Sequence, residues 1–236
     1  MPDGATRPLV EAFTELAQAL FEGSDADAVL EHLVGQATRV INGCEYASVS
    51  LLGPGGRIHT PVATDPLVVE LDELQYETGE GPCVEATKQP APAVYGSDVA
   101  HDARWPSFGP RAGALGIGSL ASYKLAANGS VGALNLYARP PDAFDERDRE
   151  SSYLLAVYAS VLLASTHLRV QATQLQEALE SRDVIGQAKG ILMERERVTA
   201  NDAYDMLRRA SQHLNRKLRD LAEDIATTGE EPPIVR

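Results

Sequence analysis

Ser181 to Ala222 reads SRDVIGQAKGILMERERVTANDAYDMLRRASQHLNRKLRDLA, and its charge is opposite to that of the chain around it. Nine bases (Arg182, Lys189, Arg195, Arg197, Arg208, Arg209, Arg216, Lys217, Arg219) are set against six acids (Asp183, Glu194, Glu196, Asp202, Asp205, Asp220), a net +3 inside a chain of net -13. Apolar residues recur at three- and four-residue spacing: Ile185, Ala188, Leu192; Ala203, Leu207, Ala210, Leu214; Leu218, Leu221, Ala222. That periodicity belongs to amphipathic helices, and three short ones fit the stretch. Thr199 followed by Asp202 is a capping-box pattern for the second, and Asn215 is the candidate N-cap of the third. Lys189, Arg195, Arg208, Arg209, Arg216 and Lys217 fall outside the apolar stripes. There they form either a solvated face or a surface for a polyanion.

Working outward, residues 1 to 180 carry net -13 and residues 223 to 236 net -3. So acidic a body repels nucleic acid, and any contact is confined to the basic stretch. A chain of 236 residues has room for two domains, and its 44% hydrophobic and 23% charged composition is that of a soluble globular protein. No apolar run approaches the roughly 20 residues that cross a bilayer, so no membrane association is expected. The segment MPDGATRPLVEAF lacks the layout of a signal peptide. A cytoplasmic location is therefore expected, with Cys44 and Cys83 as free thiols.

Upstream, residues 8 to 22 and 25 to 41 read as amphipathic helices. Tyr46 to Leu52 alternates as a strand, with Ser48 and Ser50 on one face and Ala47, Val49 and Leu51 on the other, and Gly53 to Gly56 turns it into a second strand, Arg57 to Ala63. Residues 66 to 80 are acidic and less clear in pattern, and read as a short helix and a loop. Pro82 to Lys88 reads as a helical turn, Ala93 to Tyr95 as a short strand, and Trp105 to Leu115 as a short helix. Gly118 to Leu125 and Val131 to Tyr137 pair as a hairpin, with Asn128 and Gly129 as the turn signal. The fold class is α+β, an antiparallel sheet flanked by helices, followed by a long helix into a small all-α module.

From Asp145 a helical pattern runs without a breaker as far as Gly186. Beyond Thr166 its apolar face narrows to Leu168, Ala172, Leu175, Leu179, Arg182 and Ile185, close to a heptad seam. A helix polar over most of its surface is rarely stable alone. The seam pairs either with a second copy, making a homodimer, or with its own N-terminal domain; the homodimer is the expectation. The expected division is a sensor domain over 1–165, a coiled-coil-like connecting helix over 166–180, and a three-helix domain with an acidic tail over 181–236.

Cys83 follows Gly81 and Pro82 at a predicted helix start, where the dipole favours a thiolate and a redox role is conceivable. A thiol enzyme would also need a resolving partner, for which Cys44 is the only candidate. The histidines show no metal-ligand spacing, no metal site is expected, and the cofactor stays unassigned, with His59 and His101 as the candidates for a haem ligand. No phosphate-cradling glycine loop or G-x-S-x-G elbow occurs. Tyr46, Ser48 and Ser50, then Ser119, Ala121 and Tyr123, then Ala133, Asn135 and Tyr137 place small, polar or aromatic groups on one face of three strands. With Cys83, the residues Tyr46, Ser48, Ser50, Tyr123, Asn135 and Tyr137 are candidates for a small-molecule pocket, the alternative being a solvent-facing sheet surface.

Two resemblances complete the reading. Ile185, Gly186, Gln187, Ala188, Lys189, Gly190, Ile191, Leu192 and Met193, followed by Ala203, Tyr204, Leu207, Arg208, Arg209 and Ala210, resemble the ANTAR domain. That family comprises three-helix modules that bind RNA and prevent transcription termination. The resemblance implies a pair of stem-loops in nascent leader RNA as partner. It makes Arg182, Lys189, Gly190, Arg195, Tyr204, Arg208, Arg209 and Lys217 the candidate RNA contacts, Gly190 either admitting a phosphate or loop base or packing against Tyr204. Residues 10 to 165 resemble a GAF domain through Tyr76 to Cys83, Arg104 to Pro106 and Gly132 to Tyr137. This implies a sensory fold with a small-molecule ligand or a dimerising role, and a signal-responsive antitermination regulator overall. The alternatives are a free methionine sulfoxide reductase-like thiol enzyme and a protein-binding signalling module.

Overall fold

The computed structural model describes residues 6–21, 26–127 and 130–229. They fall into two compact units, Met1–Leu168 and Arg169–Arg236.

The first unit is built on a five-stranded antiparallel sheet of β1 (Tyr46–Leu52), β2 (Ile58–Ala63), β3 (Ala93–Gly96), β4 (Ser119–Ala127) and β5 (Ser130–Ala138), in spatial order β2-β1-β5-β4-β3. Helices α1 (Thr6–Phe21), α2 (Ala26–Val40) and the first part of α6 (Glu146–Glu196) supply Leu16, Leu30, Leu33, Leu155, Ala159 and Leu162 to one face, against Ala47, Val49, Leu134 and Leu136. Helices α3 (Pro66–Thr78), α4 (Pro82–Lys88) and α5 (Gly109–Ala114) cover the other with Leu71, Cys83, Ala86 and Ala112. The alternation along the strands therefore separates two cores instead of core from water, which excludes the alternative of a solvent-facing serine face.

Residues 66–80 resolve into a full helix followed by a tight turn. Asp65 caps α3 by accepting from the Leu67 N–H at 2.8 Å, and Gly79 ends it in the left-handed region at φ 68. The α5 helix begins at Gly109, since Trp105 to Phe108 form turns before it. The Asn128–Gly129 turn lies outside the described residues, while β4 and β5 pair on either side as expected.

In the second unit the expected first short helix is continuous with α6, which passes through Gly186 and Gly190 without a break. A Cβ built at either glycine meets nothing within 4 Å, so Gly190 does not serve packing against Tyr204. Helices α7 (Ala200–Leu214) and α8 (Leu218–Thr228) pack on α6 through Ala188, Leu192, Ala203, Leu207, Ala210, Leu221, Ala222 and Ile225. The Thr199/Asp202 capping box opens α7. Asn215, expected as the N-cap of the last helix, is instead the left-handed C-cap of α7 at φ 50, and Lys217 occupies the N-cap of α8. Asparagine tolerates that conformation, which is why it fits the end of a helix as well as the start of one.

Candidate functional site

In the first unit the chemistry is inside. Asp72 on α3 is fully buried, and its carboxylate accepts from Ser48 Oγ at 2.7 Å, Thr60 Oγ1 at 2.9 Å, Asn135 Nδ2 at 3.2 Å, Gln75 Nε2 at 3.3 Å and the Tyr137 hydroxyl. The Tyr76 hydroxyl bridges Ser50 Oγ at 2.6 Å and Thr60 Oγ1 at 2.7 Å. Asn135 is held in turn by Ser122, whose hydroxyl donates to its Oδ1 at 2.8 Å. Four strands (β1, β2, β4 and β5) supply this floor and α3 supplies the roof. Asp72, Gln75 and Tyr76 sit at i, i+3 and i+4, so one helical face delivers all three.

Burial pushes the Asp72 carboxyl up to about 6, against an ordinary 3.8, with Ser48, Tyr137 and Thr60 opposing the rise. Among the described residues no cation pairs with it, so its charge is balanced by donors alone. The α3–α4 turn closes over the cluster. Gly81 has φ 110, a Cβ there would run into the Gln75 side chain, and Gln75 Oε1 accepts from the Cys83 N–H at 2.9 Å. Glu80 in the same turn accepts from the backbone N–H groups of Ser107 at 2.6 Å and Phe108 at 2.9 Å. Trp105 Nε1 donates to Glu85 Oε1 on α4 at 2.8 Å, with the Arg104 guanidinium 4.2 Å from the ring centroid.

In the second unit the chemistry is outside. Arg182, Gly190, Tyr204, Arg208, Arg209 and Lys217 are exposed and Lys189 is half-buried. Arg208 pairs with Asp205 at 2.9 Å, Arg216 with Asp224 at 2.7 Å and Arg219 with Glu180 at 3.2 Å. Arg195 donates to the Gly229 carbonyl at the end of α8, a structural task for a residue expected as an RNA contact. The side chains of Arg182, Lys189 and Lys217 make no hydrogen bond or ion pair among the described residues. Tyr204 is 41% exposed, one helical turn before Arg208.

The GAF domain family matches residues 23–164 and the ANTAR domain family residues 173–225. The chain belongs to the GAF family and carries an ANTAR domain. None of the curated proteins compared with it matches. Among solved structures it is similar to a bacteriophytochrome of the photosynthetic bacterium R. palustris, at 9% identity and TM-score 0.57 over 80% of this chain and 43% of that one. It is similar to the GAF domain of a phosphoenolpyruvate-protein phosphotransferase from Coxiella burnetii, at 14% identity and TM-score 0.54 over 72% and 99%. A third similarity is to the free methionine-R-sulfoxide reductase of Neisseria meningitidis in complex with its substrate, at 15% identity and TM-score 0.50 over 72% and 95%. At such identities these likenesses show the fold alone.

The GAF domain brings Ser48, Ser50, Cys83, Asn135 and Tyr137 together on the α3/α4 face, with Tyr46 at its edge. Tyr123 does not join them. The register pairs Tyr123 with Leu134 and Ser122 with Asn135, so Tyr123 packs in the opposite core and Ser122 takes the place expected for it. Thr60, Asp72, Gln75, Tyr76 and Ser122 were missed; the signal available was the polar spacing of Asp72, Gln75 and Tyr76 inside an apolar stretch. Cys83 is fully buried, and burial followed by the charge of Asp72 pushes its thiol up to about 12. The short helix does not offset that, so the expected thiolate-favouring environment is absent. Cys44, likewise pushed up to about 12 by burial, lies in the core on the other side of the sheet. His101 is exposed at the end of the 3-10 turn Val99–His101, 3.0 Å from Asp98. Among the described residues no group of three or more His, Cys, Asp or Glu side chains could hold a metal ion, and no helix is long and apolar enough to cross a membrane.

Proposed function

We propose that the chain is a signal-responsive RNA-binding regulator of transcription antitermination, in which the GAF domain senses and the ANTAR domain holds stem-loops of a nascent leader transcript. The observation that carries this reading is that the same ANTAR-family domain has cations without an internal side-chain partner, Arg182, Lys189 and Lys217, and an exposed aromatic, Tyr204. Cations without an internal partner contact phosphates and position the RNA, whereas an exposed ring stacks on an unpaired loop base. The strongly acidic remainder keeps polyanions away from the rest of the surface.

The protein works as a homodimer in the cytoplasm, one stem-loop per protomer. Leu168, Leu175 and Leu179 are 56%, 63% and 53% exposed, with Ala172 exposed between them, and residues 171–180 are exposed all round the helix. A second copy covers such a seam. The functional division is 1–165 for the sensor, 166–180 for the connecting helix and 181–236 for RNA. The Asp72 cluster is where a small ligand acts on the sensor. A thiol enzyme is disfavoured, because Cys44 and Cys83 are buried in separate cores with the sheet between them.

The test selects tandem stem-loop RNA from a pool with randomised loops, using the full chain, and compares it with duplex DNA of the same sequence. RNA is expected to bind more tightly, with an affinity that falls steeply as salt rises. Equal binding of the DNA, or no RNA enriched by selection, overturns the reading.

A further inference from the structure

Among the described residues four helix ends turn in the left-handed region, and one of them has an unexpected residue. Gly79 closes α3 at φ 68, Gly229 closes α8 at φ 70 and Asn215 closes α7 at φ 50. Glycine has no Cβ to clash there, and asparagine compensates by local hydrogen bonding. The residue after α6 is Arg197, at φ 55. An arginine there has neither advantage, so its backbone position does not account for its side chain.

Nor does a partner within the protein. Arg197 is exposed and makes no hydrogen bond or ion pair among the described residues, although Glu194 and Glu196 stand close by in sequence. The nearest acid on the far side of the turn, Asp202, is engaged by the hydroxyl and N–H of Thr199. Of the neighbouring guanidiniums, Arg195, Arg208, Arg216 and Arg219 each bind a group of the same unit, whereas the side chains of Arg182 and Arg209, like that of Arg197, make no hydrogen bond or ion pair among the described residues. A cation near a helix C-terminus does favour the dipole, but Arg195 already provides one in the last turn of α6 without a left-handed residue.

We propose that Arg197 is a phosphate contact of the ANTAR domain, extending its RNA surface to the α6–α7 turn. This rests on the RNA-binding reading above. The left-handed backbone fixes where the side chain leaves the turn, and the guanidinium offers a phosphate two parallel N–H donors.

Arg197→Gly in the full chain separates this role from a structural one, because glycine suits the backbone better. Its Tm should be retained or raised, while affinity for the selected tandem stem-loop RNA falls about tenfold and the slope of log K against log salt shrinks by about one. Arg197→Lys should keep the parental slope, since it keeps the charge. Parental affinity and slope in Arg197→Gly and Arg197→Gln, with the parent binding RNA, overturn this assignment and leave the RNA reading standing. A fall in Tm that tracks the fall in affinity makes the residue structural and overturns it as well. Failure of the parent to bind any selected RNA removes both.

Discussion

The GAF and ANTAR domains handle their polar groups in opposite ways. In the first, Asp72 and the side chains that donate to it are enclosed between a sheet and a helix, and every polar atom described there is satisfied by its neighbours. In the second, the enclosed groups are almost all apolar and the charges lie at the surface, some paired and some not. Buried polar networks respond to anything that changes a proton or a hydrogen bond inside them. Exposed cations without an internal partner leave their charge open to an anion from outside. One domain is thus suited to being altered from within and the other to gripping from without.

The largest effect tests the outward side. Leu175→Lys combined with Leu179→Lys places charges in the exposed seam and should abolish the proposed dimer, since burying an unpaired ammonium between two helices costs several kcal/mol. Light scattering should report a monomer, and a persisting dimer would move the interface to the exposed face of Leu154, Val157 and Val161. Next comes the dry core of the ANTAR domain. Ala188, Ala203, Ala210 and Ala222 make it thin, so Leu207→Ala should lower its stability by about 2–5 kcal/mol while the GAF domain's melting is unmoved. A single shifted transition would show that the two domains do not unfold separately.

The smallest effect is the one that distinguishes the buried polar cluster. The Asp72 carboxyl is raised in the folded state, so its contribution to stability is complete below the ordinary 3.8 and is lost as pH rises through about 6. The loss is on the order of 3 kcal/mol by about pH 7. Asp72→Asn should flatten this segment of the stability–pH curve relative to the parent. Identical curves would mean that the carboxyl does not titrate in that window.

Much of this was legible beforehand. The strands, the capping box at Thr199 and both families followed from period, spacing and motif. What escaped has identifiable causes. Helix α3 is expected as a short helix before a loop, and its full length is hidden because Asp72 and Gln75 stand on its buried face, where a helical pattern is read from apolar residues. Tyr123 was put on the wrong side because β4 has small or apolar residues at both phases, and only its pairing with β5 decides between them. Gly186 looked like a breaker, yet a glycine costs a helix only about 1 kcal/mol, which the packing of Ala188 and Leu192 outweighs. Cys83 was judged by the helix it starts, and burial proved the stronger influence on its thiol.

Trp105 has a practical consequence. It is the only tryptophan in the chain, it is buried, and its indole N–H is bound to Glu85 on α4, the helix that also carries Cys83. Its fluorescence therefore originates entirely within the GAF domain, beside the turn that closes over Asp72, and the ANTAR domain is dark at tryptophan's wavelengths. Any compound that loosens that turn should shift the emission to the red as water reaches the ring. Small molecules can thus be screened by titration into the unlabelled protein, and the response assigned to the GAF domain without a mutation or a dye.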